Sequence, residues 1–163
     1  MAEVSGSSSE RVRHALAQLG VRAEIRSFDA STRTSADAAA AIGCQVAQIA
    51  KSLVFRAKPS GRAVLVIASG INRVSEAKLA AALGEAIGKA DAAFVRDKTG
   101  FAIGGVAPVG HGEKPAIFID EDLLQYAEIW ASAGTPNSVF RLTPGDLQRI
   151  TGGRVIGLKE GAG

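Results

Sequence analysis

Apolar positions recur along this chain in two rhythms, one helical and one alternating. Val12, Ala15, Leu16 and Leu19 fall on one helical stripe, with Ser9 as a cap and Gly20 as a stop. Residues 23–28 alternate and predict a short strand with Ile25 on its inner face. Ser35 caps an alanine-rich helix that runs to Ile42 and ends at Gly43. Residues 48–55 are an apolar run with one lysine in the middle, and Lys58-Pro59-Ser60-Gly61 turns the chain into residues 63–68. That second run is apolar on both faces, so the pair predicts an antiparallel hairpin with a central second strand. Ser75 caps a helix through Leu83, stopped by Gly84, and residues 90–98 predict another ending at Thr99-Gly100. Residues 116–120, 128–132 and 138–142 read as strands, the last two joined by a turn at 134–137. Thr143 caps a final helix with Pro144 at its first position, and residues 154–156 add an edge strand. About seven short strands and five helices in irregular order argue an α+β fold with a curled, mixed sheet. The folded domain is expected over 9–157, between a disordered segment 1–8 and a flexible tail 158–163.

Two stretches depart from ordinary patterning. Alternation puts Ile49, Lys51, Leu53 and Phe55 on one face, and the large apolar members make that face the buried one. A lysine there needs a carboxylate, a ligand or a wet cavity, because an isolated buried ammonium is costly. The competing reading is an edge-strand lysine whose stem reaches to solvent. Residues 103–112 then pack four glycines and Pro108 into one loop. Glycines let a backbone approach a ligand closely, and exposed amides can bind an oxyanion or a carbonyl. The competing reading is a plain connection. The spacing matches neither a phosphate-binding loop nor the dinucleotide fingerprint.

Composition narrows the field. A chain of 163 residues buries the core of one domain, and a net charge of +3 permits an anionic partner without demanding one. The single cysteine, Cys44, excludes an internal disulfide and fits a reducing compartment. No histidine stands near it in sequence to activate it, so a buried structural thiol is the expectation. Cys44 and two histidines do not make a usual zinc site, and His14 falls on the polar face of its helix. No apolar run approaches the roughly 18 residues of a membrane span. Residues 1–10 lack the apolar core of a signal peptide, and a cytoplasmic domain is expected.

Taken in order, the lysine strand 48–55, the run from Thr99 through Gly104-Gly105-Val106-Ala107-Pro108 to His111, the strand 116–120 and Leu142-Thr143-Pro144-Gly145-Asp146-Leu147 form a set. This set resembles the YbaK/prolyl-tRNA-synthetase-associated family of aminoacyl-tRNA editing domains, over about residues 10 to 156. The resemblance implies a mixed, partly closed, barrel-like sheet flanked by helices. It implies a freestanding deacylase that hydrolyses the ester of a mischarged tRNA, most often one for proline carrying a small amino acid. Ala, Cys, Ser, Thr and 2-aminobutyrate are the candidates.

By the same resemblance Lys51 is the essential lysine and Gly104 and Gly105 begin the loop whose amides face the scissile carbonyl. Ser52, Val106, Ala107 and Pro108 are implied to contact substrate. Phe28 takes the place of an aromatic that lines the amino-acid pocket, without the hydroxyl some members have, and His111, which stands where some relatives carry glutamine, is a further substrate contact. An aminoacyl ester is already activated, so such a site needs to position water, or a nucleophile on the substrate itself, and stabilise the oxyanion. Lys51 is expected to hold the phosphate or ribose of the terminal adenosine. No metal or cofactor is expected. The partners implied are the acceptor end of an aminoacyl-tRNA and a synthetase, with a monomer as the default. Arg33, Arg56, Lys58, Arg73 and Lys98 are further phosphate contacts to consider. The alternative function is a non-catalytic module that binds the acceptor end or a synthetase.

Overall fold

The computed structural model describes residues 8–29 and 34–161. Residues 1–7 of the expected N-terminal segment, and Arg33, lie outside them. The elements are α1 (Ser8–Gln18), β1 (Ile25–Ser27), α2 (Ser35–Ile42), β2 (Ile49–Lys58), β3 (Ala63–Ser69), α3 (Glu76–Leu83), β4 (Ala86–Lys89), α4 (Ala92–Thr99), β5 (Ala116–Asp120), β6 (Ile129–Ser132), β7 (Ser138–Leu142), α5 (Pro144–Thr151) and β8 (Arg154–Ile156). The fold is α+β. One mixed sheet runs β1-β7-β6-β2-β3-β5-β8, with β4 added to β2. β1 and β8 are its two free ends, so the sheet stays open.

Three helix starts differ from the sequence expectation, α4 beginning at Ala92 after an Asp91 cap rather than at residue 90. α1 begins at Ser8, which places Ser9 inside the first turn rather than at the cap. The cap of α2 is Thr34, whose hydroxyl accepts the Asp37 amide at 3.0 Å, and Ser35 is the first helical residue. Adjacent hydroxyl residues are equivalent by composition, and only the geometry of the first turn separates them. β4 was not expected at all. Ala86-Ile87-Gly88-Lys89 carries a single large apolar side chain, and it is a strand because it pairs with Phe55 to Lys58 of β2.

β3 organises the core. All seven of its residues are buried, between β2 antiparallel on one side and β5 parallel on the other. Leu65 and Ile67 join Leu16, Phe101, Ile119 and Phe140 on one face of the sheet. Val64, Val66 and Ala68 join Leu79, Phe118 and Leu158 on the other. Leu158 is only 1% exposed and Lys159 bridges to Val74, so packing continues past residue 157.

At the end of β5 the carboxylate of Asp120 is 1% exposed and acts as an internal anchor. It accepts the Ser69 amide at 3.0 Å, the Asn72 side-chain amide at 2.8 Å and the Asp122 amide at 2.9 Å. These bonds tie the end of β3 and the loop after it to β5. Asp120→Ala leaves those donors without their charged acceptor. Urea denaturation should show a loss of about 2–4 kcal/mol. A loss under roughly 0.5 kcal/mol, the size of a surface change, would contradict the anchoring role.

Candidate active site

The site begins with an incomplete edge. β2 pairs with β3 from Ala50 to Arg56. On its other side β6 meets only Ile49 and Ala50, and β4 meets only Phe55 to Lys58. Residues 51–54 therefore face no strand on that side. A cleft of about 740 Å³ opens there, in the size range of a small-molecule site. Its walls include Lys51, Ser52, Gly104, Val106, Trp130 and Thr135.

Lys51 is half-buried opposite Ala68, and no ion pair among the described residues includes it. Burial pushes its ammonium pKa down, the Asp120 carboxylate pulls it back up, and the Arg73 guanidinium pushes it down again. The lysine is a cation kept in a partly dry place without a direct counter-ion. Its neighbour Ser52 turns to the other face of the strand, where its hydroxyl is buried with no hydrogen-bond partner.

The glycine loop adds a wall to the same cleft through Gly104 and Val106. Gly104 has φ +87°, the left-handed region that favours glycine. The Gly105 amide is taken by the Ala102 carbonyl at 2.9 Å. A side chain on Gly105 would put Cβ 2.9 Å from the Thr135 carbonyl carbon and 3.0 Å from Pro136 N. Gly105 thus lets the loop lie against the turn between β6 and β7. The amides of Gly104 and Val106 meet no acceptor among the described residues.

Ala107, Pro108 and His111 sit behind this wall. Ala107 and Pro108 are buried, and neither lines the cleft. His111 donates from Nε2 to the Ala107 carbonyl at 2.7 Å and meets the Phe101 ring edge-on at 5.9 Å. Burial lowers its pKa, the Ala107 hydrogen bond opposes that, and the charge of Arg11 adds to it. Pro108 and His111 line a separate cavity of about 290 Å³ against Ala15, Leu19 and Ile150. His111 braces the glycine loop from behind.

Phe28 also stands back from the cleft. It packs with the group formed by Ala38, Ala39, Ile49, Trp130 and Val139, four of which line the cleft. Its backbone is held by Asn137, amide to carbonyl and carbonyl to side-chain amide, both at 2.9 Å. Cys44 is half-buried and away from the cleft, and burial pushes its thiol pKa up.

Several residues in the site were not singled out on sequence. Thr135 bonds to Ser138 and Asn137 through its hydroxyl, and Ser132, Thr135 and Ser138 form a polar rim beside the glycine loop. Their only sequence signal is Gly134-Thr135-Pro136-Asn137, which reads as a turn. Lys89 reaches the cleft because β4 exists. Of the other cations, Arg56 stacks over Phe94 at 5.1 Å, Lys98 pairs with Glu113 at 3.7 Å, and Lys58 lies over Gly88. Arg73 is exposed and acts on Lys51 through its charge.

Two tests follow from this geometry. NMR titration of the Lys51 side chain should give a midpoint below that of an ordinary lysine. Arg73→Gln should raise that midpoint by removing a like charge, and Asp120→Asn should lower it by removing the opposite one. Shifts of the reverse sign would refute this electrostatic assignment. Gly105→Ala should cost about 1–3 kcal/mol in chemical denaturation, because both atoms it meets are backbone; an unchanged stability would show that the two loops are not packed as described.

Comparisons with known proteins give the family and the fold. The aminoacyl-tRNA editing domain model matches residues 29–150. A crystal structure described as a candidate trans-editing enzyme for prolyl tRNA synthetase superposes with a TM-score of 0.89 at 46% identity, covering 94% of this chain and 98% of that one. The structure of hypothetical protein APE2540 superposes with a TM-score of 0.85 at 26% identity, covering 92% and 99% of the two chains. The uncharacterized protein YwhH of Bacillus subtilis (strain 168) is 29% identical over 148 residues, which is 91% of this chain and 94% of YwhH. With an open mixed sheet, a half-buried lysine and a glycine loop that line one cleft, and a family match over most of its length, the chain belongs to the aminoacyl-tRNA editing domain family.

Proposed function

We propose that this protein hydrolyses the ester of a mischarged aminoacyl-tRNA, in trans, acting on a proline-type tRNA that carries a small amino acid. The observation that carries this reading is that Lys51 and the Gly104 loop line one cleft. The family match supports the substrate class, and the structural neighbour's description supports the choice of tRNA.

The residues divide the work by chemistry. Lys51 is a point charge suited to a phosphate or ribose oxygen of the terminal adenosine, and it fixes the ester in place. The amides of Gly104 and Val106 face the ester carbonyl and stabilise the oxyanion that forms when water adds to it. Such a donor is worth about 2.7–4 kcal/mol in the transition state. Collapse of the tetrahedral intermediate breaks the acyl–oxygen bond and leaves the amino acid and a free ribose hydroxyl. Gly105 shapes the loop, and Ser52 meets the substrate through its place in the cleft lining. Selection among amino acids rests on cleft size, where one methylene is worth about 1–3 kcal/mol. The acceptor end is the main partner, and docking on a synthetase extends the same reading.

The test is ester loss from tRNAs charged with Ala, Ser, Thr, Cys or 2-aminobutyrate. At least one should be hydrolysed well above its rate in buffer. Lys51→Ala should lower kcat/KM by roughly a hundredfold or more, as expected for loss of positioning. Cys44→Ala should leave it within about twofold, the scatter of a surface change. No acceleration on any charged tRNA would overturn the enzyme reading in favour of a binding module, and full activity of Lys51→Ala would remove the lysine from the mechanism.

A further inference from the structure

The incomplete edge of β2 has a direction. Gly70 N donates to Ile49 O at 2.8 Å and Ala57 N donates to Arg62 O at 2.9 Å, both on the β3 side. Backbone groups alternate along a strand, so odd-numbered residues of β2 turn theirs to β3 and even-numbered residues turn theirs away. Ala50 spends its pair on β6 and Arg56 meets β4. Ser52 lies between them, with its amide and carbonyl aimed in the plane of the sheet into the cleft.

The far lip is set the same way. Ala133 N donates to Ser138 O at 3.0 Å, so odd-numbered residues of β6 face β7 and Ser132 faces β2. The parallel register between β2 and β6 stops at Ala50 opposite Ala131. The next rung would join the Ser52 amide to the Ser132 carbonyl, and it is not made. Three strand carbonyls, of Ser52, Val54 and Ser132, are thus left open in one cleft, and those of Ser52 and Ser132 flank the missing rung. Backbone groups in such a place are normally paired, with protein, water or ligand.

We propose that these two carbonyls bind the α-ammonium group of the aminoacyl substrate, which takes the place of the missing rung. This rests on the deacylase reading and adds how the amino acid is recognised. An ammonium offers three donors and no acceptor, which matches carbonyl oxygens and does not match the amides of the glycine loop. It also separates the two ends of the substrate by charge. Lys51 leaves β2 perpendicular to the sheet and takes the anionic nucleotide end, whereas the carbonyls lie in the sheet plane and take the cationic end. The site would then read every α-amino acid alike at its ammonium, and leave side-chain choice to the walls. An ester without a free ammonium, N-acylated or deaminated, would be a poor substrate.

The experiment compares an aminoacyl-tRNA that the protein hydrolyses with the α-hydroxyacyl-tRNA made from it by deamination, which is nearly isosteric and neutral. Each enzymatic rate is divided by its own rate in buffer. The hydroxyacyl ester should lose roughly tenfold to hundredfold in this ratio, the usual worth of a hydrogen bond to a charged group. Equal ratios for the two esters would overturn the proposal and leave the deacylase reading intact, whereas acceleration of neither would overturn both. A second variant replaces Ala133 with lactic acid, which turns the Ser132 carbonyl into an ester carbonyl, a weaker acceptor. It also removes the Ala133 amide bonded to Ser138, a structural loss that falls on both substrates alike. The aminoacyl ester should lose several-fold more than the hydroxyacyl ester in this variant. Equal losses would assign the Ser132 carbonyl a structural role only and overturn its part in binding.

Discussion

The outer edge of β2 is the constraint on which the rest of the site depends. A ten-residue strand lies beside two short ones, β6 at its start and β4 at its end, and neither covers its middle. A sheet interrupted in this way must put something in the gap, because unpaired backbone groups in a dry interior are costly. Here the gap is a cleft. β3 supplies the support that permits it: all seven of its residues are buried and paired with β2, and Val64 to Ile67 pair with β5 on the other side.

The electrostatics follow from the same break. Lys51 stands at the gap, half out of water, with Asp120 near enough to act by charge but not paired with it. Asp120 is held by three donors from β3 and the segments beside it, so its carboxylate is fixed in place. A direct salt bridge would neutralise the lysine and fill its donors. The observed arrangement leaves a charged, partly desolvated group free to take an anionic ligand, where its interaction is less screened than at the surface.

Much of this was legible in the sequence. The central hairpin, the helices with capping and stop residues, and the inward face of Lys51 all come from local rules: alternation, capping and the glycine stop. The glycine loop was legible as unusual. Its internal division was not, because only the packing shows that Gly105 gives its amide to Ala102 and its missing side chain to Thr135, while Ala107, Pro108 and His111 serve the loop from behind. Phe28 was expected in the pocket; it packs against the group that holds Trp130 and Val139, which line the cleft, and is not itself part of the lining. β4 and the Ser132–Thr135–Ser138 rim escaped notice because their order comes from partners far away in sequence. Tertiary pairing decides such short segments, and local propensity does not.

The central claim is that one cleft, between Lys51 and the glycine loop, receives the aminoacylated end of a tRNA. It is tested most directly by titrating isotope-labelled protein with an adenosine that carries an amino acid at its 3′ position through a stable amide. The account predicts that the amide resonances that move will concentrate at Lys51, Ser52, Gly104, Val106 and Ser132, with Lys51→Ala weakening the binding. Shifts concentrated instead around His111 and the smaller cavity, or a Lys51→Ala protein that binds as tightly as the parent, would contradict it.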